Sequence, residues 1–296
     1  MTPPLTENPP AGRVSSWRLL AGNPVTVAST VILAVVLVVA VGAKWLAPQG
    51  INDVDVPSAL RGPSGAHWFG TDELGRDVLS RVLVAVQASM EVAVVSVLFA
   101  VVVGVTIGVV AGYRGGWVDT VFMRVVDVMF AFPVLLLALA IVAILGPGIT
   151  TTMLAIGVVY TPIFARVARA STLGVRVEPF VQVSRTMGTG HGYILIRHVL
   201  PNIAGPLIVQ TSLSLAFAIL SEAALSFLGL GIQPPEPSLG RMIFDSQGFV
   251  TLAWWMAVFP GAAIFVIVLA FNLFGDGMRD VLDPKQRTLA EARRKQ

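Results

Sequence analysis

Six stretches of this chain are so apolar, and so long, that water cannot be their surroundings. They run roughly from Val25 to Leu46, Ala88 to Tyr113, Val121 to Leu145, Thr151 to Thr172, Ile203 to Gly231 and Thr251 to Gly275. About 20 helical residues cross the roughly 30 Å hydrocarbon layer of a bilayer. Inside that layer each backbone N–H and C=O needs a partner within the protein, a demand that a helix meets by itself. The expected fold is an all-α polytopic membrane protein with six transmembrane helices. With 55% of its residues hydrophobic and 12% charged, the chain has the composition of an integral membrane protein and not of a soluble domain.

Six crossings bring both termini to one side. Fifteen of the 20 Lys and Arg residues fall on the two tails, the Tyr113–Arg124 turn and the Arg166–Pro201 loop. The positive-inside rule then puts both tails and that long loop in the cytoplasm. The first apolar segment is long for a signal peptide, and KWLAPQG after it lacks a small-x-small cleavage site, so it is expected to stay as a helix. The opening MTPPLTENPPAG has the composition of a disordered tail. The chain has no cysteine, which removes disulfides, thiolate metal sites and a cysteine nucleophile. Its basic balance suits anionic lipid headgroups, and no aromatic-interleaved basic surface points to nucleic acid.

On the opposite face lie the 47–87 loop, a tight LGPGI turn, and a loop containing IQPPEPSLG. None has the size of an independent domain.

The 173–202 loop is basic and broken by glycines. Pro179 suits the first turn of a short helix. In that helix Val177, Phe180, Val181, Ser184 and Met187 share one face, while Arg176, Gln182 and Arg185 point elsewhere. Gly188, Gly190 and Gly192 are expected to break it, YILIRHVL to form a second short helix, and Pro201 to stop that one. The result is a compact knob. It is either an interfacial helix pair lying on lipid headgroups or a docking surface for a cytoplasmic partner.

Here the residues resemble a known family. The loop through which permeases of ATP-binding-cassette importers contact their ATPase follows E-A-A-x-x-x-G, nine residues, then I-x-L-P. QVSRTMG and HVLP stand at that spacing: Gln182, Val183 and Ser184 at the E-A-A positions, then Gly188, Leu200 and Pro201. Gln182 replaces the acid, Val183 and Ser184 the small residues, and His198 the isoleucine. HWFGTDELGRDVLSR from His67, EAALSFLGLGIQPPEPSLGRMI from Glu222, and FPGAAIFVIVLAFNLFGDGMRDVLDPKQR from Phe259 resemble signature segments of the C-type permease of bacterial dipeptide and oligopeptide importers. The similarity runs from Trp17 to Arg287.

The resemblance implies a type I importer fold in the bacterial inner membrane. Its parts are a cytoplasmic N-terminal tail (1–24), a peripheral first helix (25–46), an external loop with a short helix (47–87), a five-helix core (88–275) containing the coupling loop, and a cytoplasmic C-terminal tail (276–296). It also implies a di- or oligopeptide cargo, a B-type permease partner, two ATPase subunits or domains and an external substrate-binding protein. ATP and Mg²⁺ would be held by the ATPases, and no cofactor or metal by this chain. None of the three lysines, Lys44, Lys285 and Lys295, follows a glycine, so no phosphate-binding G-x-x-x-x-G-K-[ST] loop is present. Energy must come from a partner or an ion gradient. With partner ATPases, their closure would move the Phe180–Pro201 knob as a lever between inward-open and outward-open packings.

Charges near the apolar segments complete the reading. Glu91, Arg124, Asp127, Arg166 and Arg169 lie near helix ends, where snorkelling and interfacial pairing accommodate them. Glu222 lies well inside the fifth segment, and either lines the substrate pathway or hydrogen-bonds a neighbouring helix. In GTDELGRD, Thr71 or Asp72 is expected to cap a short helix, with Glu73, Arg76 and Asp77 paired within it or with a neighbouring subunit. His67, His191 and His198 fall on opposite faces and cannot share a metal, and no nucleophile motif is visible. A gradient-driven secondary transporter is the alternative; it calls for mid-membrane coupling carboxylates, of which only Glu222 is well placed, and inverted repeats, of which none is seen.

Overall fold

A computed structural model describes residues 24–282, and both expected tails lie largely outside them. The helices are α1 (Pro24–Leu46), α2 (Val78–Arg114), α3 (Gly116–Phe130), α4 (Val134–Leu145), α5 (Ile149–Val175), α6 (Pro179–Thr186), α7 (His191–Phe227), α8 (Leu239–Asp245) and α9 (Trp255–Leu282). No strand occurs among the described residues, only an isolated bridge between Thr71 and Asp77. Five helices are long and apolar enough to span a bilayer, and a sixth is reached if the bent pair α3 and α4 counts as one span.

The centre of the molecule is the seam between α2 and α5, which run in the same direction. Gly104, Gly108 and Gly112 stand one per turn on α2, and a Cβ at each would collide with the carbonyl of Thr161, Ala165 or Arg169 on α5. On the other side, Gly157 of α5 meets Ser96 and Phe99. Lipid tails are as apolar as leucine, so helices in a bilayer associate by close packing and hydrogen bonds, and small residues let backbones approach. Ser96 Oγ donates to the Met153 carbonyl at 2.9 Å across the same seam. At its far end Arg176 Nη1 donates to the Gly112 carbonyl at 2.8 Å. Around this pair pack α7 and α9, while α1 lies outermost, against α2 and α9.

Four expectations need correction. The Val121–Leu145 segment is not one helix, since α3 and α4 meet at 89°. Pro133 lies at the break; it offers no N–H and drives the residue before it out of the helical region. The loop after α1 ends at residue 77 rather than 87. Asp77 caps α2 by accepting from the Ser80 N–H at 2.8 Å, so ten residues expected in the loop are helical. Pro201 does not stop a helix, because α7 runs unbroken through it. The turns just before it, Ile194–Val199, are wound as a π-helix, whose wider coil relieves the proline ring's clash with the preceding turn. Finally, α9 continues to Leu282, seven residues into the stretch expected as a C-terminal tail.

The glycine seam makes a direct prediction. Gly108→Leu must push α2 off α5, and overpacking of that kind costs about 1–3 kcal/mol. Gly174→Leu, in open space on the same helix pair, should change stability by less than about 0.5 kcal/mol. Thermal unfolding in mild detergent, with the two variants beside the parent, checks the difference.

Candidate functional site

The basic loop folds as a knob at one end of the bundle. Pro179 opens α6. Val181 is its one fully buried side chain, packed in the same apolar cluster as Ile194 and Val199 at the base of α7. Of the residues expected to share one face, Phe180 and Met187 are exposed, Met187 by 79%, and Val181 turns inward. An eight-residue helix packed through one residue leaves the rest of its apolar surface for something else to cover.

Gly188 ends α6 with φ +75°, a left-handed conformation that glycine adopts without a steric penalty. Its N–H donates to the Arg185 carbonyl at 3.0 Å, and that of Thr189 to the Ser184 carbonyl at 3.1 Å. Gly192, expected as a further break, is helical. Two aromatic anchors tie the knob to the bundle. Tyr113, in the last turn of α2, has its hydroxyl 3.1 Å from His191 Nδ1, and the Arg185 guanidinium lies 5.4 Å above the Tyr113 ring.

The six residues singled out in this loop therefore lie along one structure. Gln182 donates to the Arg176 carbonyl at 3.1 Å, Val183 is exposed, and Ser184 Oγ donates to the Phe180 carbonyl at 2.8 Å. Gly188 makes the turn, and Leu200 and Pro201 lie where the π-helix passes into α-helix. Behind the knob, Arg169 grips Asp119 with two guanidinium hydrogen bonds, and Arg166 reaches Asp127 at 2.7 Å while stacking over Phe130. These pairs, which sequence reading left as separate anchors, fasten α3 to α5.

Glu222 lies in α7, fully buried. Ser89 Oγ of α2 donates to one carboxylate oxygen at 2.6 Å, and Ser226 Oγ donates to the other at 2.7 Å. Ser226 Oγ also accepts from the Ile232 N–H at 3.3 Å, so the carboxylate ties α2, α7 and the following loop together. Of the two readings open for Glu222, this arrangement is the interhelical one.

At the opposite end, GTDELGRD forms a tight turn and not the expected short helix. Asp72 accepts from the N–H groups of Leu74 and Arg76 and from Arg76 Nε at 2.6 Å, while Glu73 pairs with Arg76 at 3.1 Å. The second Glu73 oxygen is buried with no hydrogen-bond partner. Burial accordingly pushes the Glu73 carboxyl above the ordinary glutamate range. His67, Asp77 and Ser80 also meet here, but Asp77 sits between the other two, 3.0 Å from His67 Nδ1 and 2.8 Å from Ser80 Oγ. A nucleophile triad needs the histidine in the middle, so this is a helix cap and not a hydrolase site. Among the described residues no group of three or more His, Cys, Asp or Glu is placed to hold a metal.

With this geometry in hand, comparison with known proteins gives concordant results. Residues 104–288 match the family described as binding-protein-dependent transport system inner membrane component, and residues 14–63 match the N-terminal TM domain of oligopeptide transport permease C. The chain is 41% identical to the dipeptide transport system permease protein DppC of Alkalihalophilus pseudofirmus, covering 97% of each. It is 44% identical to a probable D,D-dipeptide transport system permease protein, DdpC, of Escherichia coli K12, covering 90% of each. It is likewise 44% identical to the glutathione transport system permease protein GsiD of Escherichia coli O6:K15:H31, covering 91% of this chain and 89% of the relative. In fold, it resembles a chain of the MetNI methionine ABC transporter in an inward-facing conformation, with a TM-score of 0.57 at 18% identity over 69% of this chain and 96% of that one.

The Glu73 environment yields a pH signature. A carboxyl raised by folding contributes stability that is present below its ordinary value of 4.5 and is lost as pH rises through the higher folded value. Glu73→Gln has no such dependence. Between about pH 4 and about pH 7 the melting temperature of the parent should therefore fall relative to that of the variant. Parallel melting curves would contradict the assignment.

Proposed function

Because the chain belongs to the binding-protein-dependent inner membrane transport family, we propose that it is a permease half of a peptide importer driven by partner ATPases through the 180–201 knob. That it is a multi-pass membrane permease subunit of an ATP-binding-cassette importer follows from the family itself. The peptide cargo is the further step, and one observation carries it. Three relatives at 41–44% identity along nearly their whole length are named for a dipeptide, a D,D-dipeptide and glutathione, itself a short peptide.

In this reading the translocation pathway is completed by a second, B-type permease. An external binding protein delivers cargo at the end carrying the 47–77 loop. Two ATPase subunits or domains, holding ATP and Mg²⁺, dock at the knob, so this chain performs no hydrolysis itself. Both termini and the knob face the cytoplasm, as the basic residues favour. The exposed Phe180, Val183 and Met187 form the surface entering the ATPase, and Gln182, Ser184 and Gly188 shape it. The knob continues into α7, a helix of 37 residues and thus about 55 Å long, so a push on the knob reaches the far face through one rigid element. Glu222 and its two serines fasten that element to α2, which is its contribution to the pathway helices.

Gly188→Trp tests this reading. Nothing lies within 4 Å of a Cβ at Gly188, so inside this chain the substitution meets only the left-handed backbone penalty of about 1–2 kcal/mol. The variant should fold and assemble with its permease partner. ATP-driven peptide uptake by the reconstituted complex should fall at least about tenfold, the equivalent of about 1.4 kcal/mol of lost coupling. Uptake at the parental rate would remove the knob from the mechanism.

A further inference from the structure

A cavity of about 460 Å³ opens at the end opposite the knob, between the last turn of α1, the early turns of α2, the turn into α5 and the loop after α7. Its volume falls in the range of small-molecule sites. Val84 and Ile232 form a buried apolar floor. Above it stand Lys44, Glu91 and Glu236 with Gln87, and the side chain of none of these four makes an ion pair or a hydrogen bond among the described residues. Glu91, expected near a helix end, stands well inside α2; it is exposed and lines this cavity, a setting that spares a carboxylate the cost of hydrocarbon. Gln233 Nε2 is occupied by the carbonyls of Gly229 and Gly231, which leaves its amide oxygen as an acceptor.

Two carboxylates, one ammonium and two amides around a hollow of this size form the complement of a zwitterion with an excess of negative charge. We propose that this cavity is an external vestibule that receives the α-ammonium of the incoming peptide between Glu91 and Glu236, with Lys44 facing the peptide's carboxylate. The proposal rests on the peptide reading above and adds where and by which end the cargo is held. The net negative lining disfavours an anion, and its two unpaired carboxylates suit a primary ammonium. An ethanolamine lipid headgroup offers the same primary ammonium, so the experiment separates the two sources.

The absence of cysteine makes the cavity directly addressable. Ala88→Cys puts a single thiol of this chain in the lining. The complex is purified from its native membrane, reconstituted in phosphatidylcholine vesicles, and labelled from the side of the 47–77 loop with a trimethylammonium or a sulfonate methanethiosulfonate, the adduct being read on this chain. Relative to the ratio of the two reagents on a free thiol, the cationic reagent should react about tenfold faster, a difference of about 1.4 kcal/mol between the two. Adding Glu91→Gln and Glu236→Gln, both at exposed positions without partners, should abolish that preference and raise the KM for ATP-driven dipeptide uptake. A pool of alanine-based dipeptides with free N-termini should protect the thiol, and their N-acetylated forms should not.

Equal labelling rates, a charge preference that survives both glutamine substitutions, or equal protection by acetylated peptides would each overturn the vestibule. Protection that appears only on adding phosphatidylethanolamine to the vesicles, whatever the peptide, would assign the ammonium to lipid and overturn the cargo assignment. Failure of the parental complex to import any of the dipeptides would strike the peptide reading itself. Normal import with charge-blind labelling would strike the vestibule alone.

Discussion

Everything in this bundle is referenced to the backbone contact between α2 and α5. In a bilayer no hydrophobic force gathers helices, so the seam holds because Gly104, Gly108 and Gly112 carry no side chain where the carbonyls of Thr161, Ala165 and Arg169 pass. The consequences run in both directions along it. Toward one end the seam brings Arg169 and Arg176 to Asp119 and to the Gly112 carbonyl, which fixes α3 beneath the knob. Toward the other it sets α2 so that Ser89 meets Glu222 and Asp77 closes the loop-end cap.

Rigid and yielding parts are distributed accordingly. α7 unites the second half of the knob with a membrane crossing, and its only departure from regular α-helix at the knob end is the π segment Ile194–Val199. The other half of the knob, α6, is held by Val181, by the 3.5 Å approach of Ser184 to His198 and by the Gly188 turn. Under the proposed coupling, conveying a push needs one stiff arm and one exposed contact face, tasks to which the two halves of the knob are suited. The bent α3–α4 pair is fastened to α5 on both sides of Pro133, by Asp119 and Asp127 on α3 and by the buried Ala138 and Val142 on α4.

The sequence carried the fold class in the length of its apolar runs, and the family in four motif-bearing stretches. What it carried less plainly was local competition between rules. Pro201 reads as a helix stop by its missing N–H, yet a π-helix ahead of it absorbs the ring. Pro133 lies in an unbroken apolar run, and there its chemistry prevailed and split the span. The face shared by Val177, Phe180, Val181, Ser184 and Met187 was readable from spacing, but that Val181 alone of them is buried depended on the packing of α6 against the base of α7. The glycines of GVTIGVVAG, spaced four apart, carry the seam, but spacing alone names no partner helix. Glu222 was visible as an intramembrane charge; that Ser89, 133 residues away, would satisfy it depended on tertiary packing.

The claim at the centre of this account is that the knob is where chemical energy enters. Because the chain lacks cysteine, Met187→Cys at the exposed tip of the knob can carry a photo-crosslinker in native membranes. The account predicts a crosslink to a partner bearing a phosphate-binding loop, with a yield that changes when ATP is bound. Crosslinks to lipid alone, in membranes that still import peptide on ATP, would contradict it.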